Sequence, residues 1–252
     1  MDLHGKRALV TGGGRGIGAA VARGLAARGA DVVVTGRSRA HLDEVAGATG
    51  GHALICDLGD RAATDAMVAA LAALGRIDIL VNNAGIAESA PLAAIDDAMW
   101  DRILELDATA PFRLTRALVP AMVAAGWGRV ITIASNAGLT GYGYSTAYCA
   151  AKHAVIGMTR ALAVDLGRTG VTINAVCPGW VDTDMAADAV ARIAGKTGRD
   201  ADSARAALTQ MSPQRRLIAP AEVAHAVTML CSDDARGIHG QTIVIDGGQV
   251  LK

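Results

Sequence analysis

Tyr148 and Lys152 stand four residues apart in an Ala-rich stretch that reads as helix, so the phenol and the ammonium share one face, a single turn apart. An ammonium about 5 Å from a phenol, at an effective dielectric of about 20, favours the phenolate by roughly 3 kcal/mol. That is about two units off a reference pKa of about 10, toward the range of general acid–base work at neutral pH. All three tyrosines, Tyr142, Tyr144 and Tyr148, fall in one short stretch, a grouping that core packing does not explain in a chain with 3% aromatics. Ser135 closes an apolar run upstream, and Pro178-Gly179 close another downstream.

A second constellation lies near the start of the chain. Thr11-Gly12-Gly13-Gly14-Arg15-Gly16-Ile17-Gly18 joins a strand-like run to a helical one. Glycines there let the chain turn tightly and let backbone amides approach a pyrophosphate at the helix N-terminus, where the dipole favours negative charge. In strand–turn–helix context this is a dinucleotide fingerprint, and no Gly-Lys-Ser/Thr follows to make it a nucleoside-triphosphate loop. A cofactor with a free ribose 2′-hydroxyl is expected to meet a carboxylate about 20 residues further on. The chain instead reads Thr35-Gly36-Arg37-Ser38 there, with Asp31 at the wrong end of the run and Asp43 and Glu44 further along the next helix. Arg37 and Arg15 are guanidinium forks suited to a 2′-phosphate, which favours NADP(H) and leaves NAD(H) as the alternative. Asp57 is placed to accept a hydrogen bond from an adenine amino group.

The elements that must position these groups alternate along the whole chain. Short apolar, β-rich runs at 7–11, 31–35, 52–56, 77–82, 129–134, 171–177 and 241–246 are separated by helical stretches such as 16–28 and 60–74. Such alternation predicts right-handed βαβ crossovers and a doubly wound, parallel, seven-stranded α/β sheet with helices on both faces, a Rossmann-like single domain over residues 1–252. The runs are continuously apolar, as strands buried on both sides should be. The segment 183–213 breaks the rhythm with Ala, Asp, Gly and Arg, and is expected to form short helices over one sheet edge as a substrate loop or lid. Polar and Gly residues follow each run: the glycine loop, Gly36-Arg37, Asp57, Asn82-Asn83-Ala84-Gly85, Ser135-Asn136 and Pro178-Gly179. These are the carboxyl ends of a parallel sheet, where ligands bind.

Composition narrows the partners. Lys and Arg number 24 against 24 Asp and Glu, and the net charge of zero argues against nucleic acid, which calls for a clustered basic excess. No run approaches the roughly 20 apolar residues of a membrane span, and no signal peptide is apparent at the N-terminus. Cys56, Cys149, Cys177 and Cys231 lack CxxC spacing and read as reduced thiols of a cytoplasmic protein. The histidines (His4, His41, His52, His153, His225, His239) show no ligand spacing, so no metal is expected. Asn136, Tyr142, Tyr144 and Trp180 flank the chemistry as candidate substrate-pocket residues, whereas Trp127 is expected to lie outside the site.

Together the motifs resemble the short-chain dehydrogenases/reductases, in the branch that folds as one Rossmann domain. The likeness covers essentially the whole chain and rests on Thr11-Gly12-x-x-x-Gly16-x-Gly18, Asn82-Asn83-Ala84-Gly85, Ser135, Tyr148-x-x-x-Lys152, Pro178-Gly179 and Asp246-Gly247-Gly248. The resemblance implies that Tyr148 exchanges a proton with the substrate oxygen, that Ser135 hydrogen-bonds the same oxygen, and that Lys152 lowers the phenol's pKa and holds the nicotinamide ribose. It also implies cofactor contacts from Gly12, Gly14, Arg15, Gly16, Ile17, Gly18, Arg37, Asp57, Leu58, Asn83, Ala84, Gly85, Tyr148, Lys152, Pro178, Gly179, Val181 and Thr183, with Asn82 lining the cleft. The family usually carries a fourth catalytic residue, Asn, where this chain has Asp107. There the family holds a water that passes protons to the lysine, partly through the residue's carbonyl, which Asp keeps. The added carboxylate is expected to offset part of the lysine's effect on Tyr148 and to shift the pH profile of an active enzyme.

The stretch 173–185 and the helical excursion resemble enzymes acting on 3-oxoacyl or 3-hydroxyacyl thioesters and polyketides. The leading expectation is therefore hydride transfer between NADP(H) and a ketone or secondary alcohol. The alternatives are an NAD-dependent dehydrogenase of a small alcohol, polyol or sugar, and a dinucleotide-sensing regulator without turnover. By resemblance the protein is a homotetramer, with the apolar run 241–251 available to an interface.

Overall fold

Seven apolar runs become seven strands: β1 (Arg7–Thr11), β2 (Asp31–Gly36), β3 (His52–Ile55), β4 (Ile79–Asn82), β5 (Gly128–Ile133), β6 (Val171–Pro178) and β7 (Thr242–Ile245). The structure is a computed structural model and describes residues 2–251. The strands form one parallel sheet in the order β3-β2-β1-β4-β5-β6-β7. The chain winds outward from β1 to β3, then returns to the other side of β1 with β4. The loops leaving β1 and β4 therefore diverge and open a crevice between them at the carboxyl ends.

Successive side chains of a strand point to opposite faces, so a run apolar at every position needs a core on each side. On one face Ala8, Val10, Val34, Val81 and Ile131 pack with residues of α1 (Gly16–Ala26), α2 (Arg39–Thr49) and α9 (Pro220–Leu230). On the other, Leu9, Val33, Leu80, Val130 and Ile173 pack with α3 (Arg61–Leu74), α5 (Ala110–Ala124) and α6 (Thr146–Leu166). The expectation of two-sided burial fails at the margins. The edge strands β3 and β7 are partly exposed along their length, because each has a neighbour on one side only.

The helix α4 (Asp97–Leu104) runs without a break through a π-helical turn, Glu105–Thr109, into α5. The turn is closed by the Ala110 N–H donating to the Glu105 carbonyl, and Pro111 then starts the next helix. Proline has no N–H to give the carbonyl four residues earlier, so the Asp107 carbonyl has no α-helical partner. Such inserted turns re-aim side chains, and this one buries Asp107. The excursion after β6 forms α7 (Asp184–Thr197) and α8 (Ala201–Thr209), joined to the body through a bridge between Val181 and Ile218. Among the described residues no helix is long and apolar enough to cross a membrane.

Two truncations separate centre from edge. Leu80→Ala, in a fully buried site on β4, is expected to lower the unfolding free energy by about 2–5 kcal/mol. Val244→Ala on β7, where the side chain is 40% exposed, should cost under about 1 kcal/mol. Urea unfolding of both variants measures this, and equal losses would contradict the two-sided core.

Candidate active site

The glycine loop is held by the strand beside it. The Thr11 hydroxyl accepts the N–H groups of Asn83 and Ala84, each at 2.9 Å, and the Asn83 amide donates to the carbonyls of Thr11 and Gly12 at 2.8 and 3.2 Å. Gly12 and Gly16 adopt left-handed φ of 60° and 54°, which admits the tight turn into α1. A Cβ on Gly18 would collide with the Gly12 carbonyl, so this glycine sets how closely loop and helix pack. Gly14 lies against His41, and Ile17 packs against the core below. The result is a crevice floored by backbone, with a helix N-terminus facing it, and these residues fit a dinucleotide's phosphates.

Around the crevice the charges are disposed as follows. Arg37 is exposed after β2 and has no carboxylate partner among the described residues. Asp31 is engaged at the opposite end of β2 by Arg7 at 2.6 Å, while Asp43 and Glu44 pair with Arg39 and Arg23. No acid is left at the position where a ribose 2′-hydroxyl would be read. Arg15 instead pairs with Asp184 of α7 at 3.0 Å, and the Thr183 methyl sits over Gly16. Asp57 is exposed and accepts the Gly59 N–H at 3.0 Å, whereas Leu58 turns into the core. Asn82 does not line the cleft: it is buried, its amide on the Thr115 hydroxyl at 3.3 Å, because alternation along β4 turns it under α5.

The candidate catalytic groups meet beyond the crevice floor. Ser135 follows β5, accepts the Ala137 N–H at 3.1 Å, and acts to lower the pKa of the Tyr148 phenol. Lys152, one turn along α6, is 5% exposed; its Nζ donates to the Ile133 carbonyl at 3.2 Å and lies 5.5 Å from the Tyr148 ring centre. Asp107 is 1% exposed, with Oδ2 3.1 Å from that Nζ and Oδ1 accepting the Ile86 N–H at 2.9 Å. Gly85 makes room for it, since a Cβ there would stand 3.0 Å from Oδ2. The structure thus brings Ser135, Tyr148, Lys152 and Asp107 into one cluster.

Its electrostatics correct the sequence-based expectation of a phenol driven well below its reference value. Burial pushes the Tyr148 phenol up; Lys152 pulls it down, Asp107 pushes it back, and the balance lies above the ordinary tyrosine value. For Lys152, burial works against the charge, but Asp107 and Tyr148 outweigh it and hold the ammonium above its usual range. Burial raises the Asp107 carboxyl, with Lys152 and the Ile86 N–H restraining the rise.

The flanking residues separate into several roles. Asn136 is buried and donates to Asp246 at 3.4 Å, so it anchors a loop. Asp246 also accepts the N–H groups of Gly248, Gln249 and Val250, and Gly179 passes so close that a Cβ would stand 2.8 Å from the Asp246 Cβ. The Tyr142 hydroxyl accepts from Gln249 at 2.8 Å, and its pKa is pushed up to about 12, chiefly by burial. Tyr144 is exposed with a left-handed φ of 66°, and its carbonyl accepts the Ala90 N–H at 2.9 Å. Trp180 packs with α7 and α8, next to Pro178, Gly179 and the buried Val181. Trp127 lies elsewhere, against Lys6 and Arg129. Sequence reasoning placed Thr11 in the glycine motif but gave its hydroxyl no role, and did not single out Ile133 or the Arg192–Ser89 hydrogen bond of 3.2 Å. That last contact joins residues 103 positions apart and leaves no local signal.

A family model described as Enoyl-(Acyl carrier protein) reductase matches residues 12–249. The chain belongs to the short-chain dehydrogenase/reductase family. It is 38% identical over 254 residues to the 3-oxoacyl-(acyl-carrier-protein) reductase FabG of Escherichia coli (strain K12), covering 100% of both chains. It is 36% identical to a D-beta-hydroxybutyrate dehydrogenase of Cupriavidus necator, over 99% of this chain and 100% of that one. A crystal structure of an actinorhodin polyketide ketoreductase variant with NADPH superposes with a TM-score of 0.92 at 35% identity, covering 97% of each chain. As a member of this family the protein is an oxidoreductase acting on CH–OH or C=O groups.

The Thr11 hydroxyl is the joint between the two loops of a short-chain dehydrogenase/reductase crevice. Thr11→Val keeps the shape but strands two N–H groups, and should cost about 1–3 kcal/mol. It should also weaken dinucleotide binding in calorimetry. An unchanged urea midpoint with unchanged affinity would show that the loops are held by other means.

Proposed function

We propose that the protein is an NADP(H)-dependent reductase of 3-oxoacyl thioesters or closely related ketones. The observation that carries this is the cluster of Tyr148, Ser135 and Lys152 at the sheet's carboxyl rim, beside a glycine loop whose neighbouring strand ends in Arg37 and no acid. When bound, NADPH supplies the hydride that reaches the carbonyl carbon. Tyr148 gives its proton to the carbonyl oxygen, so that C=O becomes CH–OH and a phenolate remains to be reprotonated. Ser135 donates to the same oxygen and stabilises the charge that develops there. Lys152 stands behind the phenol and stabilises its anionic form after the proton has left.

The cradle at 12–18 would take the pyrophosphate, and the Arg37 guanidinium, with Arg15 if it exchanged Asp184 for the cofactor, would hold the 2′-phosphate. Thr183, Val181 and Pro178-Gly179 form the far wall. The excursion 183–213 serves as the lid over the substrate, with Tyr142, Tyr144 and Trp180 at the mouth. The FabG relative and the polyketide ketoreductase structure support this substrate class. The hydroxybutyrate dehydrogenase relative supports the reverse reaction on a short hydroxy acid as the second reading. We infer a homotetramer as well, with the 241–251 run, where Val244 and Leu251 are 40% and 84% exposed, available to one interface; sedimentation at several concentrations tests it.

A panel of an acyl thioester, a cyclic ketone and a sugar, each assayed with NADPH and NADH, tests the main reading. Consumption of NADPH is expected to be fastest with the 3-oxoacyl thioester. Turnover of sugars with NAD alone would overturn it. Arg37→Ala should weaken NADPH binding about 10-fold or more, the worth of a charge-assisted hydrogen bond, and leave NADH binding within about 2-fold. Equal affinities of the wild type and Arg37→Ala for NADPH would remove Arg37 from the site.

A further inference from the structure

The buried cluster holds one cation and one carboxylate, and the phenol feels both. Lys152 donates to the Ile133 carbonyl at 3.2 Å and faces Asp107 as an ion pair at 3.1 Å, in which Asp107 Oδ2 has no hydrogen-bond partner. With Lys152 as ammonium and Asp107 as carboxylate, the pair behind Tyr148 carries no net charge. An Asn in place of Asp107, as the family resemblance leads one to expect, would leave a net positive charge there.

The other groups that face the cluster do not replace the lost charge. Ser135, at the end of β5, offers a neutral hydroxyl. Cys177 on β6 lies near Lys152, and burial pushes its thiol up to about 12, so it stays neutral. Cys149 lies on the same helix as Tyr148 and supplies no positive charge. From the π-helical turn comes Asp107 itself, fixed by the Ile86 N–H and by the absence of a Cβ at Gly85. Asp246 acts on Tyr142 and on Cys177. Arg160 acts on Cys177.

We propose that Asp107 is a positioning residue that sets the working protonation state of the site: its direct pairing with Lys152 cancels the positive charge behind Tyr148, so the phenol stays protonated through neutral pH and the enzyme is poised to donate a proton. Reduction needs the phenol, and oxidation of the alcohol needs the phenolate. The pairing therefore extends reduction upward in pH and confines alcohol oxidation to alkaline pH, without altering the overall equilibrium. The part concerning direction rests on the ketone-reductase reading; the part concerning Tyr148 does not.

The test uses the ultraviolet absorbance of tyrosinate, followed against pH in the cofactor-free protein. The chain has three tyrosines, so the difference between a protein and its Tyr148→Phe counterpart isolates one phenol. In Asp107→Asn the Tyr148 component should ionise at least about one unit lower than in the wild type, a tenfold rise in phenolate at a given pH. Asp107→Ala, as a second variant, should shift it the same way, while the Tyr142 and Tyr144 components stay in place. In turnover, the alkaline rise of alcohol oxidation should move down by a matching amount.

A Tyr148 component that does not move, or moves upward, in the folded variants would overturn the proposal, whatever the enzyme reduces. A downward shift in a protein inactive on every ketone tried would instead uphold the electrostatic claim and refute the substrate reading. A spectroscopic shift with an unmoved oxidation profile would overturn the claim about direction.

Discussion

A parallel sheet covered on both faces has room for polar chemistry only at its ends. In this chain Leu9 and Val10 are adjacent on β1, yet each enters a different core, and the same holds for Leu80 and Val81 on β4. Every residue inside those strands is committed to packing, so function is exported to the loops that follow them. The reversal of strand order between β1 and β4 then decides where those loops part. Thr11 and Asn83, on the two sides of that parting, bind the loops together and keep the crevice a fixed shape. The glycine cradle, the Ser135 turn and the Pro178-Gly179 wall are all consequences of that topology.

Placing an ammonium and a carboxylate under this rim is costly, because each ion loses several kcal/mol of hydration even after relaxation. The cost is offset by geometry as well as by attraction. Asp107 receives a backbone N–H from Ile86, and Lys152 gives one of its hydrogens to Ile133. The π-helical turn exists where Pro111 interrupts regular bonding, and it buries the carboxyl in the direction of the lysine. Asp107 Oδ2 has no hydrogen-bond partner, so its burial is offset by the lysine's charge 3.1 Å away, and the charge state of the cluster depends on the fold that holds the two together. Tyr148 responds to that state, being half-buried one turn from the lysine.

The legibility of these features follows their range in the chain. The glycine loop and the Tyr148–Lys152 pair are local patterns whose geometry is fixed by a turn or a helix, so type and spacing suffice to place them. The sheet was readable because its strands are short, apolar and regularly separated; the misjudged burial of β3 and β7 comes from strand order, which no single run encodes. Asn82 and Asn83 show the limit more sharply. They are neighbours of the same type, and only the face each occupies sends one under α5 and the other across to the glycine loop. The excess of burial over lysine's pull at Tyr148 was also out of reach, since it depends on what closes over the phenol rather than on the pair itself.

The lid we propose is tied to the body by contacts of a different kind from those of the crevice. Arg15 and Asp184 are 63% and 67% exposed, and exposed pairs of this sort contribute about 0–1 kcal/mol. The Arg192–Ser89 hydrogen bond joins the same helix to the loop after β4, and the Ala90 N–H next to Ser89 reaches the Tyr144 carbonyl. Three segments thus meet over the mouth through a few polar contacts, while Ala186 and Ala189 of α7 pack with Leu208 and Leu217 in a small cluster apart from the main cores. Separating α7 and α8 from the rim would exchange those polar contacts for water, and the packing of α7 on Leu208 would move with them while that on Leu217 would be given up. A floor laced by several hydrogen bonds and a proposed lid held by few would divide stability so that a cofactor could enter without loosening the Ser135–Tyr148–Lys152 cluster.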